Sequence, residues 1–109
     1  MLTDDLERLL NLLALLGKRK LSVAILITLH GGPQRYSRLH HAVSQTSPGT
    51  VHARTLTSTL NYLGEEQLVT HHQNDDGADY RLTAGGSELV DLLGKIQRWN
   101  RQHRNNGEP

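Results

Sequence analysis

Cysteine is absent from the 109 residues, which excludes disulfides, cysteine-based zinc sites and thiol redox sensing together. Phenylalanine is absent too, so any core is poor in aromatics. There is no Gly-rich phosphate loop, no nucleophile elbow and no cysteine nucleophile. Ser, His and Asp occur, but in no spacing that names a reaction. No enzyme is expected, and no cofactor or metal is called for. The apolar stretches are broken by polar residues well short of a bilayer span, so no membrane partner is expected. The chain starts with acids, "MLTDDLERLL", rather than a basic secretory leader. One cytoplasmic domain is the expectation. A chain of this length buries a modest core and is often completed by oligomerisation.

Acids are also missing from one long stretch. The net charge is only +1, yet from residue 8 to residue 64 every formal charge is positive: Arg8, Lys18, Arg19, Lys20, Arg35, Arg38 and Arg54. His30, His40, His41 and His52 lie in the same span, and acids return at Glu65 and Glu66. A basic half in a near-neutral chain suits a large anion, and nucleic acid is the commonest one. On charge alone an ordinary solvated surface fits equally well. The histidines invite a metal reading. However, His40-His41 and His71-His72 are adjacent pairs, and adjacent residues on a helix or strand point apart, so neither is a preformed chelate.

What is present reads as a series of short elements. "TDDLERLLNLLALLG" is a helix with Thr3 or Asp4 as its cap and Gly17 as its stop. Its leucines cover more than one side, which suits burial against a second subunit as well as its own core. "KRKLSVAILITLHGG" is a second helix, apolar almost all round over residues 24–29 and ended by Gly31-Gly32-Pro33. "SRLHHAV" is a short helix capped by Ser37, with Leu39 and Val43 inward. "SQTSPGT" is a loop. In "ARTLTSTLNYLGEE" Leu56, Leu60 and Leu63 stand at i, i+4 and i+7, with Thr50 or His52 as the cap. "LVTHHQNDDGADYRLT" is a β-hairpin turning at Asp75-Asp76-Gly77. The last helix, over residues 84–103, carries a stripe of Leu89, Leu92, Leu93, Ile96 and Trp99. Residues 104–109 read as a disordered tail.

Two short helices joined tightly and followed at once by a hairpin describe a winged helix-turn-helix, mainly α with a small β-hairpin wing. The leucine stripe then seats the fourth helix on the core and leaves its polar face free for a DNA major groove. Arg54 can take a guanine or hold a phosphate, and small Thr and Ser side chains permit close approach. Thr57, Ser58 and Asn61 share one face and are preferred over Thr55 and Thr59. His52, just before this helix, is a further DNA-contact candidate. Ser37 and Arg38, at a helix start, and Arg35 just before it are phosphate candidates. Lys18, Arg19 and Lys20 either touch flanking phosphates or form a charged helix start.

The order and spacing of four stretches carry a family likeness. They are "GKRKLSVAILITLHGGPQRYSRLHHAV", "ARTLTSTLNYLGEEQLV", "YRLTAGGSEL" and "IQRWNRQH". Together they resemble the HxlR-type winged-helix transcriptional regulators of the wider MarR group, over roughly residues 17 to 103. The resemblance implies a homodimer acting on a pseudo-palindromic double-stranded DNA operator, with repression as the default sign. It implies an N-terminal dimerisation helix over residues 1–16, a DNA-binding unit over 17–83 and a C-terminal dimerisation helix over 84–103. Interface candidates are Leu6, Leu9, Leu13, Leu89, Leu93, Ile96 and Trp99. His71, His72 and Arg81 are the wing residues expected near the DNA backbone. The aspartates at the tip oppose deep insertion.

Departures from the family pattern matter as well. Gln67 stands where the family usually has Gly before the Leu-Val pair. If that site needs a positive φ, glutamine costs roughly 1 kcal/mol there. His52 replaces a usual Ser, and the Pro48-Gly49 loop is one residue longer. Family members that sense electrophiles through cysteine offer no precedent for a cysteine-free chain. Two other readings stay open. One is a winged helix that binds protein instead of DNA. The other is a regulator gated by a small molecule held at the dimer interface, where Tyr36, Tyr62 and Trp99 are the large aromatics available.

Overall fold

Leu56, Leu60 and Leu63 are buried as their spacing requires, and the rest of the fold is arranged around the helix that carries them. The computed structural model describes residues 2–46 and 49–105. Along the chain these form α1 (Leu2–Lys18), α2 (Lys20–His30), α3 (Tyr36–Thr46), α4 (Ala53–Glu65), β1 (Val69–Asn74), β2 (Gly77–Leu82) and α5 (Ala84–Asn100). A π-helical turn, Arg101–Asn105, continues α5. The core joins Leu16 of α1, Ile25, Leu26 and Leu29 of α2, Leu39 and Val43 of α3, the three α4 leucines, Val51 and Val69. Its buried members are all aliphatic, and Tyr36 and Tyr80 pack against them.

The boundaries depart from the sequence reading in five places. Neither Thr3 nor Asp4 caps α1, because the helix begins at Leu2 and both lie inside it. Gly17 does not stop α1, which runs to Lys18; Arg19 alone separates it from α2. Ser37 does not cap α3, because the helix begins one residue earlier, at Tyr36. The expected "SQTSPGT" loop starts late. Ser44, Gln45 and Thr46 are helical, and the Thr46 hydroxyl donates to the Val43 carbonyl at 3.0 Å. Ser47 and Pro48 lie outside the described residues. At the other end, the expected tail begins inside the helical turn at Arg104, and residues 106–109 are outside the described set.

The hairpin is antiparallel, with Val69 opposite Leu82, His71 opposite Tyr80 and Asn74 opposite Gly77. A third edge comes from the α2–α3 turn, where Gln34 and Tyr80 exchange two backbone hydrogen bonds of 3.0 and 2.8 Å. The wing is thereby tied to the turn that precedes α3.

One junction links α4, the wing and α5. Gln67 has φ 60°, the left-handed conformation anticipated for the position where the family favours glycine. The Thr83 hydroxyl donates to the Gln67 carbonyl at 2.7 Å and accepts from the Gly86 amide at 3.0 Å, capping α5. A Cβ on Gly86 would collide with the Leu68 carbonyl, so glycine permits the close passage of α5 over this junction.

Candidate nucleic-acid interface

Helix α4 buries Leu56, Thr59, Leu60 and Leu63 and exposes Arg54, Thr57, Ser58 and Asn61. The exposed four stand at i, i+3, i+4 and i+7, so they form one continuous face. They line a single groove of about 600 Å³ together with Arg19, Ala53, Tyr62 and Glu65. Thr59 cannot join them. It is buried, and its hydroxyl donates to the Thr55 carbonyl at 2.8 Å. Thr55 faces an adjoining groove with Arg19, Lys20 and Arg54. Two grooves thus share Arg19 and Arg54 as a cationic border. A floor of hydroxyls and an amide between such borders offers charge to phosphates and hydrogen bonds to base edges.

The start of α4 is held from α3 rather than by its own cap. His52 occupies the cap position with extended backbone, exposed and without a side-chain cap bond. The Tyr36 phenol instead donates to the Ala53 carbonyl at 3.0 Å, and His40 Nε2 donates to the Val51 carbonyl at 2.7 Å. That bond fixes the His40 tautomer with its proton on Nε2. Tyr36 also lies 3.3 Å from the Thr57 hydroxyl. Arg19 sits over the Tyr62 ring, 5.7 Å from its centroid, which holds the guanidinium beside the groove.

The remaining sequence candidates divide by what already engages them. Ser37 and Arg38 are exposed in the first turn of α3. Arg35 is already engaged: its guanidinium donates to the Asp76 carbonyl at the wing tip at 2.7 Å and packs against Gly77. Arg81 is held by Asp79, two residues away on the same strand face, through bonds of 3.0 and 2.9 Å. These bonds lower the Asp79 pKa from the ordinary carboxylate value, partly opposed by desolvation, and raise that of Arg81. His71 stacks on Tyr80 with centroids 4.6 Å apart. The strand register puts His71 on one face of the wing and His72, Asp79 and Arg81 on the other.

Sequence reasoning missed the Tyr36 contacts and the Arg35 tie, because both join residues far apart in the chain. The Asp79–Arg81 pair carried a legible signal, since residues i and i+2 of a strand share a face. Tyr36, Tyr62 and Trp99 do not converge on one pocket. Tyr62 borders the α4 groove, whereas Trp99 lines an apolar groove of about 630 Å³ between α2 and α5. Of the interface candidates, Leu6, Leu9, Leu13, Ile96 and Trp99 are exposed, and Leu89 and Leu93 are half-buried against the core. Leu10, Ile27 and Leu92 are exposed as well. No helix among the described residues is long and apolar enough to cross a membrane.

The family model described as HxlR-like helix-turn-helix matches residues 15–108. An HTH-type transcriptional regulator of Methanocaldococcus jannaschii is 29% identical over 90 residues, covering 83% of this chain and 79% of its own. In three dimensions the chain is similar to the reduced form of the transcriptional regulator YodB from B. subtilis. The TM-score is 0.72 at 24% identity, over 93% of this chain and 96% of that one. A PadR-like transcription factor from Bacteroides fragilis gives 0.69 at 21% identity, over 88% and 97%. At these identities the two structures attest the winged-helix fold.

Proposed function

The chain belongs to the HxlR-like helix-turn-helix family of transcriptional regulators, and from that premise we propose that it is a homodimeric repressor of a pseudo-palindromic operator. In this reading α4 enters the major groove and presents Arg54, Thr57, Ser58 and Asn61 to the bases. Arg19, Lys20, Ser37, Arg38 and His52 hold the backbone on either side. Residues 17–83 form the DNA-binding unit, and α1 and α5 join the two copies. The cytoplasm is the compartment expected for such a regulator. The observation that carries the reading is the face of α4, where four exposed side chains at helical spacing line one groove bordered by arginines.

The exposed leucines of α1 and the apolar groove beside Trp99 support the second copy as their occupant. A small apolar effector would compete for that same groove.

The test is titration against random-sequence duplex DNA at low and moderate salt, with the native mass recorded. A dimer whose affinity collapses with salt is expected, because each neutralised phosphate adds to the salt slope. Absence of binding at low salt refutes the reading and moves the protein to a protein-binding winged helix.

A further inference from the structure

The hydrogen-bond polarity of the α4 face is set by one phenol. Tyr36 Oη lies 3.0 Å from the Ala53 carbonyl oxygen and 3.3 Å from Thr57 Oγ1. A phenol has one proton, and a carbonyl can only accept. The Tyr36 proton therefore goes to Ala53, and the bond to Thr57 runs the other way, with the threonine hydroxyl donating to the phenolic oxygen. Thr57 is left with no proton to offer outward. Toward the groove that it lines with Arg54, Ser58 and Asn61 it presents only lone pairs and a methyl group.

A free threonine hydroxyl reads donors and acceptors alike. One that can only accept does not. In the major groove the base-edge donors are the adenine N6 and cytosine N4 amino groups, whereas guanine and thymine offer acceptor oxygens. We propose that Thr57 is a specificity residue that selects an amino-bearing base, adenine or cytosine, on the contacted strand at one position of each half-site, and that Tyr36 is the positioning residue that makes it selective. The proposal rests on the DNA-binding reading above and deepens it. Tyr36 touches no base. It acts through the proton it denies to Thr57, and the same bond to Ala53 steadies the first turn of α4.

The experiment selects binding sites from a randomised duplex library with the wild-type chain, then measures base preference at each position for Tyr36→Phe, Thr57→Val and Thr57→Ser. The wild type is expected to prefer adenine or cytosine at one position per half-site by about tenfold. Tyr36→Phe frees the Thr57 proton and flattens that preference. Thr57→Val, which keeps the shape and loses the acceptor, flattens it at the same position. Thr57→Ser keeps the hydroxyl and retains it. Melting curves confirm that each variant is folded.

Two results overturn the inference while leaving the DNA-binding reading intact. One is a preference map unchanged by Tyr36→Phe. The other is a Tyr36→Phe chain whose discrimination falls at every position together, which marks the phenol as merely structural. A wild-type chain that fails to bind the unselected library at low salt overturns the DNA-binding reading itself.

Discussion

Gln67 shows how much one backbone angle can settle. Its φ of 60° lies where an L side chain crowds the following carbonyl, at a cost of roughly 1–2 kcal/mol. The position is held there from both sides. The Gln67 amide donates to the Gly64 carbonyl at 3.0 Å, and Thr83 clasps the Gln67 carbonyl. Gln67→Gly removes the crowding but adds freedom to the unfolded chain, so a net gain of about 0.5–1 kcal/mol in urea unfolding is expected. Gln67→Val should lose stability instead, since a branched Cβ fits this region worst. Equal melts for the two would show that the turn relaxes out of the left-handed region. Ser22 offers the converse case. Its hydroxyl is fully buried on α2 and has no hydrogen-bond partner among the described residues. Ser22→Ala discards a desolvated polar group at almost constant volume. It should stabilise by about 1 kcal/mol, seen as a melting point raised by several degrees. A clear loss of stability would reveal that the hydroxyl is paired in solution.

Among the elements, the wing departs furthest from what its residues suggested. Arg81 looked like a free cation beside the DNA, yet Asp79 occupies its guanidinium. Neutralising Asp79 should return that charge to the DNA. Asp79→Asn is expected to raise affinity for random duplex several-fold and to steepen the salt slope by about one unit. An unchanged slope would place Arg81 away from the phosphates altogether. The same pair has a pH signature. The folded-state pKa of Asp79 is lowered, first by the Arg81 hydrogen bonds. Its contribution is therefore complete above the ordinary carboxylate value of 3.8 and is lost as pH falls through the lowered one. In carboxylate NMR titrations Asp79 should titrate below the ordinary value of 3.8.

The elements also show what the sequence could and could not say. The α4 stripe was legible, because Leu56, Leu60 and Leu63 have only one way to face a core. The hairpin was legible from Asp75-Asp76-Gly77, and the strain at residue 67 from glutamine standing where glycine is usual. The grip of Tyr36 on α4 was not, since Tyr36 and Thr57 meet only in the folded chain, 21 residues apart in sequence. Arg35 reads as a phosphate ligand in sequence because nothing local shows that the wing tip, 41 residues on, folds back to meet it.

At the scale of the whole molecule, α1 is half supported. Leu16 is buried and Leu12 packs on the core, but Leu6, Leu9, Leu10 and Leu13 stay 46–55% exposed in the single chain. On α5, Leu92, Ile96 and Trp99 are 54–55% exposed, and Ile27 of α2 adds 56%. Isolated apolar residues need no account, but a set this large on two terminal helices and their neighbour is the surface that the proposed dimer would cover. Each leucine moved from water to an interface contributes roughly 1.5–3 kcal/mol before the costs of association, so two copies can outweigh those costs. A two-fold axis would use the same patch twice. Leu9→Asp with Leu13→Asp changes only exposed positions, so the fold should survive by circular dichroism while sedimentation turns from dimer to monomer. Operator affinity should then fall by about 100-fold or more, because the second half-site no longer binds at the high effective concentration set by the first. A wild-type chain that sediments as a monomer at the concentrations where it binds its operator would remove the dimer. The apolar surface of α1 and α5 would then require a different protein to cover it.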